Sequence, residues 1–488
     1  MRLFCSFVLF IFTITLLACK KDEETQVVSV SSNTINFDAT GGMQVFDIQT
    51  NASSWNITIE PGGEWIELSA LQGSGNNSNV QVTASENPLQ TTRTAILNIK
   101  AGDALPVRVT IQQQSSIYPN YNTNPIAADM TDMNKDATVL AAEMTLGWNL
   151  GNTLEATGGE TAWGNPAATI ELIQRVKQSG FNVIRLPAAW NQYADQTTAK
   201  INITWLNRVK QVVQYCIDND LYVMLNIHWD GGWLENNCTP DKKVMVNAKQ
   251  KAFWEQIATH FRDFDQRLLF AGANEPAVEN AEQMAVLLSY HQTFVNAVRS
   301  TGGRNAYRTL IVQGPTTDIE KTNRLMNALP EDKVARRLMV EVHYYTPWNF
   351  AGLTTDETWG NQFYYWGYGN HSVTDPLRNP TWGEEATVEA DFKLMKQKFI
   401  DQNIPVIMGE YGALRRTNLT GDALALHLQS RNYYLNYVTK KAISNKMIPV
   451  YWDNGVFENS VTFGLINRQN NTVADPDALN AMLTAIQP

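Results

Sequence analysis

Two glutamates stand at the ends of apolar runs, and each has neighbours that chemistry would want. Glu275 lies in "GANEPAV" (272–278), directly after Leu268-Leu269-Phe270-Ala271, between Asn274 and Pro276. Glu410 lies in "VIMGEYGA" (406–413). A carboxyl group at the end of a buried strand is costly unless paired or protonated. Two of them facing one another supply what glycosidic-bond hydrolysis needs: a protonated acid for the leaving oxygen and an ionised partner for the anomeric carbon. The plain alternative for Glu275 is an acid at a helix start, since Pro276 and the acidic segment after it could open a helix. A metal pair is a further alternative. Such a site would draw on more acids or histidines nearby, and the six His are scattered with no HxxxH or CxxC pair. No metal or organic cofactor is expected, and phosphoryl transfer lacks a phosphate cradle.

The elements that must position this pair follow from hydrophobic pattern. Short apolar strands are expected at 144–152, 182–187, 222–228, 268–276, 309–315, 338–345, 405–412 and 448–455. Helical stretches separate them, for example at 169–179, 203–219, 247–264, 281–300, 388–402 and 422–445. Eight β/α repeats with near-continuous apolar strands predict a (β/α)8 TIM barrel. A doubly wound sheet is disfavoured because no Gly-rich phosphate loop follows the first strand. Each strand in question carries polar residues at its C-terminal end: Asn149, Arg185, His228, Asn274-Glu275, His343-Tyr345, Glu410 and Trp452-Asp453. In a barrel those ends form one rim, where active sites sit. One such residue is ordinarily a cap or loop contact, but an Arg, two His and two Glu together point to a site.

The chain ahead of the barrel reads differently. Residues 1–18 form a secretory signal, with Arg2 before an apolar core. Leu16-Leu17-Ala18-Cys19 resembles a bacterial lipobox, which implies lipidation of Cys19 and a surface lipoprotein of the outer membrane. The acidic "KKDEE" after it resembles the signal that exports such lipoproteins to the cell surface. Residues 19–26 are a tether. From 27 to 114 strict alternation (Trp55, Ile57, Ile59; Val80, Val82; Ala95, Leu97, Ile99; Val107, Val109, Ile111) predicts a small antiparallel β-sandwich. Trp55 shares a face with Ile57 and Ile59, so it belongs to the core rather than to a sugar platform. Residues 115–128 are the linker, and 129–488 the barrel. Cys216 and Cys238 fall at opposite ends of a βα unit, which argues against a disulfide. A formal charge of −10 argues against a nucleic-acid partner, and fourteen Trp favour ligands that stack on aromatic faces. A monomer is expected.

The ordered motifs "GWNLGNTLE", "NVIRLP", "NIHWDGGW", "ANEP", "VHYYTPW", "GEYGA" and "YWDNG" resemble glycoside hydrolase family 5, subfamily 4. The stretch "EWIELSA…VQVTASENP…RTAILNIKAG…VTIQQQ" resembles the BACON module. The barrel resemblance implies retaining hydrolysis of β-1,4-glycans, with Glu275 as acid/base and Glu410 as nucleophile. It also implies that Asn274 meets the sugar 2-hydroxyl, that Arg185 and Tyr345 partner the nucleophile, and that His228 and His343 contact sugar. Trp452 would be the platform before the cleaved bond, joined to Asp453 by a cis peptide. Relatives often carry a second His where this chain has Trp229, so no role is carried to that position.

Between the sixth strand and its helix, Thr346 to Glu384 is far longer than a βα loop of roughly 2–6 residues. It holds Trp348, Phe350, Trp359, Phe363, Tyr364, Tyr365, Trp366, Tyr368 and Trp382. About half are expected to form a local core and the rest, Trp348 included, to offer stacking surface. That favours branched β-glucan, xyloglucan above all. A β-mannanase or xylanase, or a surface glycan-binding lipoprotein without catalysis, are the competing readings.

Overall fold

The computed structural model describes residues 25–455 and 461–487. Cys19 and the signal segment lie outside the described residues. The chain divides between Ser116 and Ile117 into two compact units.

In the first unit, alternating side chains build two facing sheets. One contains Val28–Val30, Gly42–Thr50, Asn77–Ala84 and Ile66–Leu68. The other contains Thr34–Phe37, Val107–Gln113, Arg93–Ala101, Trp55–Ile59 and Gln72–Gly73. All pairings are antiparallel except that of Thr34–Phe37 with Val107–Gln113, which is parallel. Trp55 is only 3% exposed. It pairs across the sheet with Gly73, where a Cβ would meet the indole at 2.3 Å. The glycine is there because the ring fills its side-chain space.

The second unit closes eight parallel strands into a barrel. They are β1 (Gly147–Leu150), β2 (Val183–Leu186), β3 (Tyr222–Asn226), β4 (Leu268–Ala271), β5 (Leu310–Gln313), β6 (Leu338–Tyr344), β7 (Val406–Tyr411) and β8 (Ile448–Asp453). Closure is made by β8 pairing with β1, Asn149 opposite Trp452 and Leu150 opposite Asp453. Helices α1 (Ile170–Gln178), α2 (Ile203–Asp218), α3 (Lys243–Phe261), α4 (Ala281–Ser300), α5 (Ile319–Leu325), α6 (Glu385–Lys398), α7 (Gly421–Ser444) and α8 (Pro476–Ala485) follow the strands in turn.

The strands read as unbroken apolar runs because both their faces are covered. Outward residues such as Val223 and Phe270 pack under the helices. Inward residues Val183, Met224, Leu269, Ile311, Met339, Ile407 and Val450 pack with Ala137 and Leu140 of a short helix, Ala137–Glu143, that precedes β1. Each such residue stabilises the fold by roughly 1.5–3 kcal/mol through burial. Asn280 caps α4, its Oδ1 accepting the Gln283 N–H at 3.0 Å. The acidic segment does open a helix, but at Ala281, six residues beyond Glu275, which is left to other work.

The cis bond expected between Trp452 and Asp453 is not there. Among the described residues the cis peptide is Thr346–Pro347. Both Trp452 and Asp453 stay in register with β1, and Gly151 makes room for the indole, since a Cβ on it would meet the ring at 2.8 Å. Regular strand geometry therefore delivers Trp452 to the rim without a backbone reversal. Cys216 and Cys238 are buried free thiols.

Candidate active site

At the C-terminal mouth of the barrel the strand-end residues converge on one guanidinium. Arg185, on β2, is 1% exposed, and its Nη1 donates to Glu410 Oε1 at 2.8 Å and to Asn149 Oδ1 at 3.0 Å. Its Nη2 donates to Asn274 Oδ1 at 2.8 Å. Its Nε lies 2.8 Å from Glu341 Oε1, an ion pair with both partners buried. Burial alone would lower the pKa of Arg185, but the charges of Glu341 and Glu410 more than offset it, and it stays a cation. A buried ion pair of this kind is kept only if every member is satisfied. Glu341 meets that condition: its Oε2 accepts from Gln313 Nε2 at 2.6 Å, and Gln313 Oε1 accepts the Ala273 N–H at 2.8 Å.

Asn149, on β1, uses its amide NH2 to reach the carbonyls of Gly409 and Tyr451, at 2.9 and 3.2 Å. It therefore ties β1 to β7 and β8 as well as to Arg185. Asn274 gives its amide oxygen to Arg185, which leaves its NH2 as a donor for a ligand. The glycine of the "GEYG" motif has a local cause. A Cβ on Gly409 would lie 2.0 Å from Glu341 Oε1, so only glycine lets the strand carrying Glu410 lie against that carboxylate.

Glu410 also accepts from the Tyr345 hydroxyl at 3.0 Å. Burial raises its pKa, opposed by the positive charges of His343 and Arg185. Glu275 stands on the loop after β4 with a side chain 44% exposed. Its Oε1 lies 2.7 Å from His343 Nδ1 and 3.5 Å from Thr317 Oγ1. Burial pushes it up, but the hydrogen bond and charge of His343 outweigh that, and its carboxyl is depressed.

His343 is buried between three carboxylates. Its Nε2 faces Glu341 Oε1 at 3.2 Å, and its Nδ1 is 3.8 Å from Glu410 Oε2. Burial would lower it, but Glu410, Glu275 and Glu341 together raise it to about 9. One proton is thus shared across the Glu275–His343 hydrogen bond and rests on the imidazole.

One carboxylate oxygen of Glu275, one of Glu410 and a ring nitrogen of His343 all lie within 4.8 Å of one another. This cluster does not suit a metal ion. Both nitrogens of His343 face carboxylates, so the ring acts as a double donor and offers no lone pair.

His228, just past β3, is held well below its ordinary range by burial, then by the charges of Arg185 and His343. The Ala188 N–H fixes the Asn226 amide oxygen at 3.1 Å, which turns the Asn226 NH2 toward His228 Nδ1, 3.1 Å away. Neutral His228 therefore carries its proton on Nε2. Its ring stacks on Trp452 at 6.0 Å between centroids, 10° from parallel. Trp348 stands edge-on to Tyr345 at 6.0 Å. Asn149, Arg185, His228, Asn274, Glu275, His343, Tyr345, Trp348, Glu410 and Trp452 therefore fall in one site, whereas Asp453 turns away from it: it is fully buried, and its Oδ2 accepts from Trp148 Nε1 at 2.8 Å and from the Ile466 N–H at 3.0 Å.

Sequence reasoning passed over Glu341, Gln313 and Asn226, which hold the others in place. Glu341 had a readable signal: a lone carboxylate inside an apolar strand, two residues before His343 and so on the same face. Gln313 at the end of β5 had the signal used for the other strands.

A family model for cellulase (glycosyl hydrolase family 5) matches residues 149–458, and one for BACON, a putative N-terminal binding domain, matches 54–114. The xyloglucan-specific endo-β-1,4-glucanase BoGH5A of Bacteroides ovatus is 37% identical over 478 residues, 93% of this chain and 91% of that protein. The solved Bacteroides ovatus GH5 xyloglucanase in complex with a XXXG heptasaccharide superposes with a TM-score of 0.70 at 34% identity, covering 95% of this chain and 100% of that one. A GH5-4 broad-specificity endoglucanase from Ruminococcus champanellensis with bound cellotriose gives 0.62 at 35% identity, over 72% and 99%. The convergence of Glu275 and Glu410 on the rim of a closed barrel and these matches agree: the chain is a glycoside hydrolase and belongs to glycosyl hydrolase family 5.

Proposed function

We propose that this enzyme is a retaining endo-β-1,4-glucanase of plant β-glucans, with xyloglucan its preferred chain. The observation that carries the retaining mechanism is the closeness of the two carboxylates, with oxygens within 4.8 Å. Retaining enzymes hold theirs about 5–5.5 Å apart, while inverting enzymes need about 6.5–9.5 Å to admit a water.

Glu410, fixed by Arg185 and Tyr345, attacks the anomeric carbon. The proton held between His343 and Glu275 passes to the glycosidic oxygen through Glu275, the more exposed of the two carboxylates. A glycosyl ester of Glu410 forms and the leaving chain departs. Glu275, now a base, takes a proton from water, which opens the ester with a second inversion. The Asn274 NH2 is placed to meet the 2-hydroxyl, and the neutral Nε2–H of His228 to donate to a neighbouring oxygen. Trp452 and Trp348 offer stacking faces on either side.

The long excursion after β6 and the xyloglucan-specific relatives support the preference for xyloglucan. The Ruminococcus champanellensis relative supports a second reading, activity on several β-1,4-glucans. A reducing-end assay on xyloglucan, barley β-glucan, carboxymethylcellulose, glucomannan and xylan separates these. Severalfold higher efficiency on an unbranched glucan or on mannan overturns the xyloglucan preference. Replacing Glu410 by Ala is expected to abolish turnover on every substrate. Replacing Glu275 by Ala should spare aryl glycosides whose leaving group needs no proton. Equal loss on both substrate types would contradict the division of roles.

The lipobox at Cys19 supports an enzyme held on the cell surface by lipid, with the sandwich as spacer. Buried Trp55 supports the spacer role. Cys19→Ser should block processing or release the enzyme to the medium. A fully processed variant still found in the membrane fraction would refute the anchor.

A further inference from the structure

The excursion after β6 holds a second cavity, of about 410 Å³, that shares no residue with the catalytic cleft. Its size is at the small end of the range for ligand pockets, roughly 300–1,000 Å³. The indoles of Trp359 and Trp382 line it and remain 62% and 49% exposed, an unusual cost for such large apolar faces. The buried ring of Phe363 closes it below.

Its polar lining is Asn349, Asn361, Asn379 and Thr381, of which Asn349 belongs to the framework. That side chain is 3% exposed, and its Nδ2 donates to the Asn361 carbonyl at 2.7 Å. Its Oδ1 is buried with no hydrogen-bond partner. The exposed side chains of Asn361 and Thr381, which also line the cavity, are the polar groups a ligand can reach.

The two lips are joined. Arg378 pairs with Asp356 at 2.9 Å, and Asp356 Oδ1 also accepts the Gln362 N–H at 2.9 Å. The segment bearing Trp359 is thereby fastened to the one leading to Trp382. Arg416 adds a bond from Nη1 to Gln362 Oε1 at 3.0 Å. The pocket is preformed, which lowers the entropy cost of filling it. Asn349 directly follows Trp348, the residue that touches Tyr345.

We propose that this cavity is a glycosyl-binding site: a pyranose of a polymeric glycan stacks on the indole faces of Trp359 and Trp382, and its hydroxyls meet the Asn361 and Thr381 side chains in the lining. The ligand class is a neutral sugar ring, because stacking takes its apolar face and the residues lining the cavity are uncharged, the Arg378–Asp356 pair at its lips being mutually neutralised. The sugar comes either from a pendant branch or from the main chain at a distance from the cleaved bond. The inference rests on the hydrolase reading for its substrate, but not for its geometry.

Trp359→Ala and Trp382→Ala are exposed truncations that leave the framework bonds in place. Each should lower kcat/KM on xyloglucan by about three- to tenfold, mainly through KM, as expected for one lost stacking face. Turnover of a short aryl β-cellobioside should be unchanged. Loss on xyloglucan alone assigns the site to a branch sugar. Loss on xyloglucan and carboxymethylcellulose alike assigns it to the main chain. No loss on either polymer, or an equal loss on the aryl cellobioside, overturns the proposal. Indole fluorescence titrated with a branched glucan heptasaccharide gives an activity-free readout. Should the native enzyme hydrolyse no β-glucan while the heptasaccharide still binds and the Trp variants weaken it, the cavity stands and the proposed β-glucanase activity falls.

Discussion

His343 Nδ1 and Glu275 Oε1 are 2.7 Å apart, and in the proposed mechanism the proton between them is the one a departing sugar receives. Because three carboxylates raise His343 to about 9, the pair keeps that proton until the pH approaches that value. Activity should therefore persist into alkaline solution and fall as pH rises through about 9. On the acid side Glu410 must be ionised, and burial has raised its pKa. Activity should decline there as pH falls through a value above that of an ordinary glutamate.

His343→Asn removes the imidazole that depresses Glu275, so the alkaline limb should be set by the Glu275 carboxyl alone and move toward acid. The check is kcat/KM for an aryl β-cellobioside against pH. An alkaline limb that does not move in the variant would show that the proton is held elsewhere.

Glu341 touches no substrate in this scheme, yet it pairs with Arg185 and with His343. Glu341→Gln leaves a buried guanidinium short of one anion. Removing one member of a buried pair typically costs about 3–5 kcal/mol of stability. Tm should drop, and kcat should drop with it, since Arg185 no longer holds Glu410 in line. A thermal melt and kinetics on the same sample test both. A variant with native Tm and native kcat would rule out this role.

Gly409→Ala should act on the same contact from the other side, because its Cβ would press on Glu341 Oε1 at 2.0 Å. The two substitutions should be non-additive. With Glu341→Gln already present, Gly409→Ala should cost at least about 0.5 kcal/mol less than it does alone. Urea denaturation of the four proteins of the cycle measures this, and strict additivity would mean that the contact carries no energy.

In the sandwich, Trp55→Ala should destabilise that unit by about 3–5 kcal/mol, the usual loss for a large buried aromatic. Glycan affinity of the native sandwich should not depend on this ring. Stability by calorimetry and binding by affinity electrophoresis separate the two effects.

The strand pattern and the rim were legible because barrel strands obey a simple rule: apolar throughout, polar at one end. That rule was enough to bring Arg185, Asn149, Asn274 and both glutamates into a single site. It could not find Glu341, which breaks the rule by sitting inside the strand. Its meaning depends on Arg185 and Gly409, far away in sequence. The trans bond before Asp453 was missed for a similar reason. The space that admits the Trp452 indole is made by Gly151, just past the end of β1, and a linear reading of "YWDNG" has no access to it.

Within the excursion after β6, Phe350, Phe363, Tyr365 and Trp366 are buried, while Trp348, Trp359, Tyr368 and Trp382 are exposed. Trp366 stands edge-on to Tyr434 of α7, 5.0 Å away, so the buried group is moored to the barrel. Mutational tolerance in this segment is therefore split. Substitutions at the moored rings unfold the excursion, whereas substitutions at the open ones alter only what it touches. Substrate range can drift between related chains through a handful of surface positions while Glu275 and Glu410 stay untouched. For the same reason the whole segment is a natural cassette for grafting onto a sister barrel that keeps the tyrosines of α7.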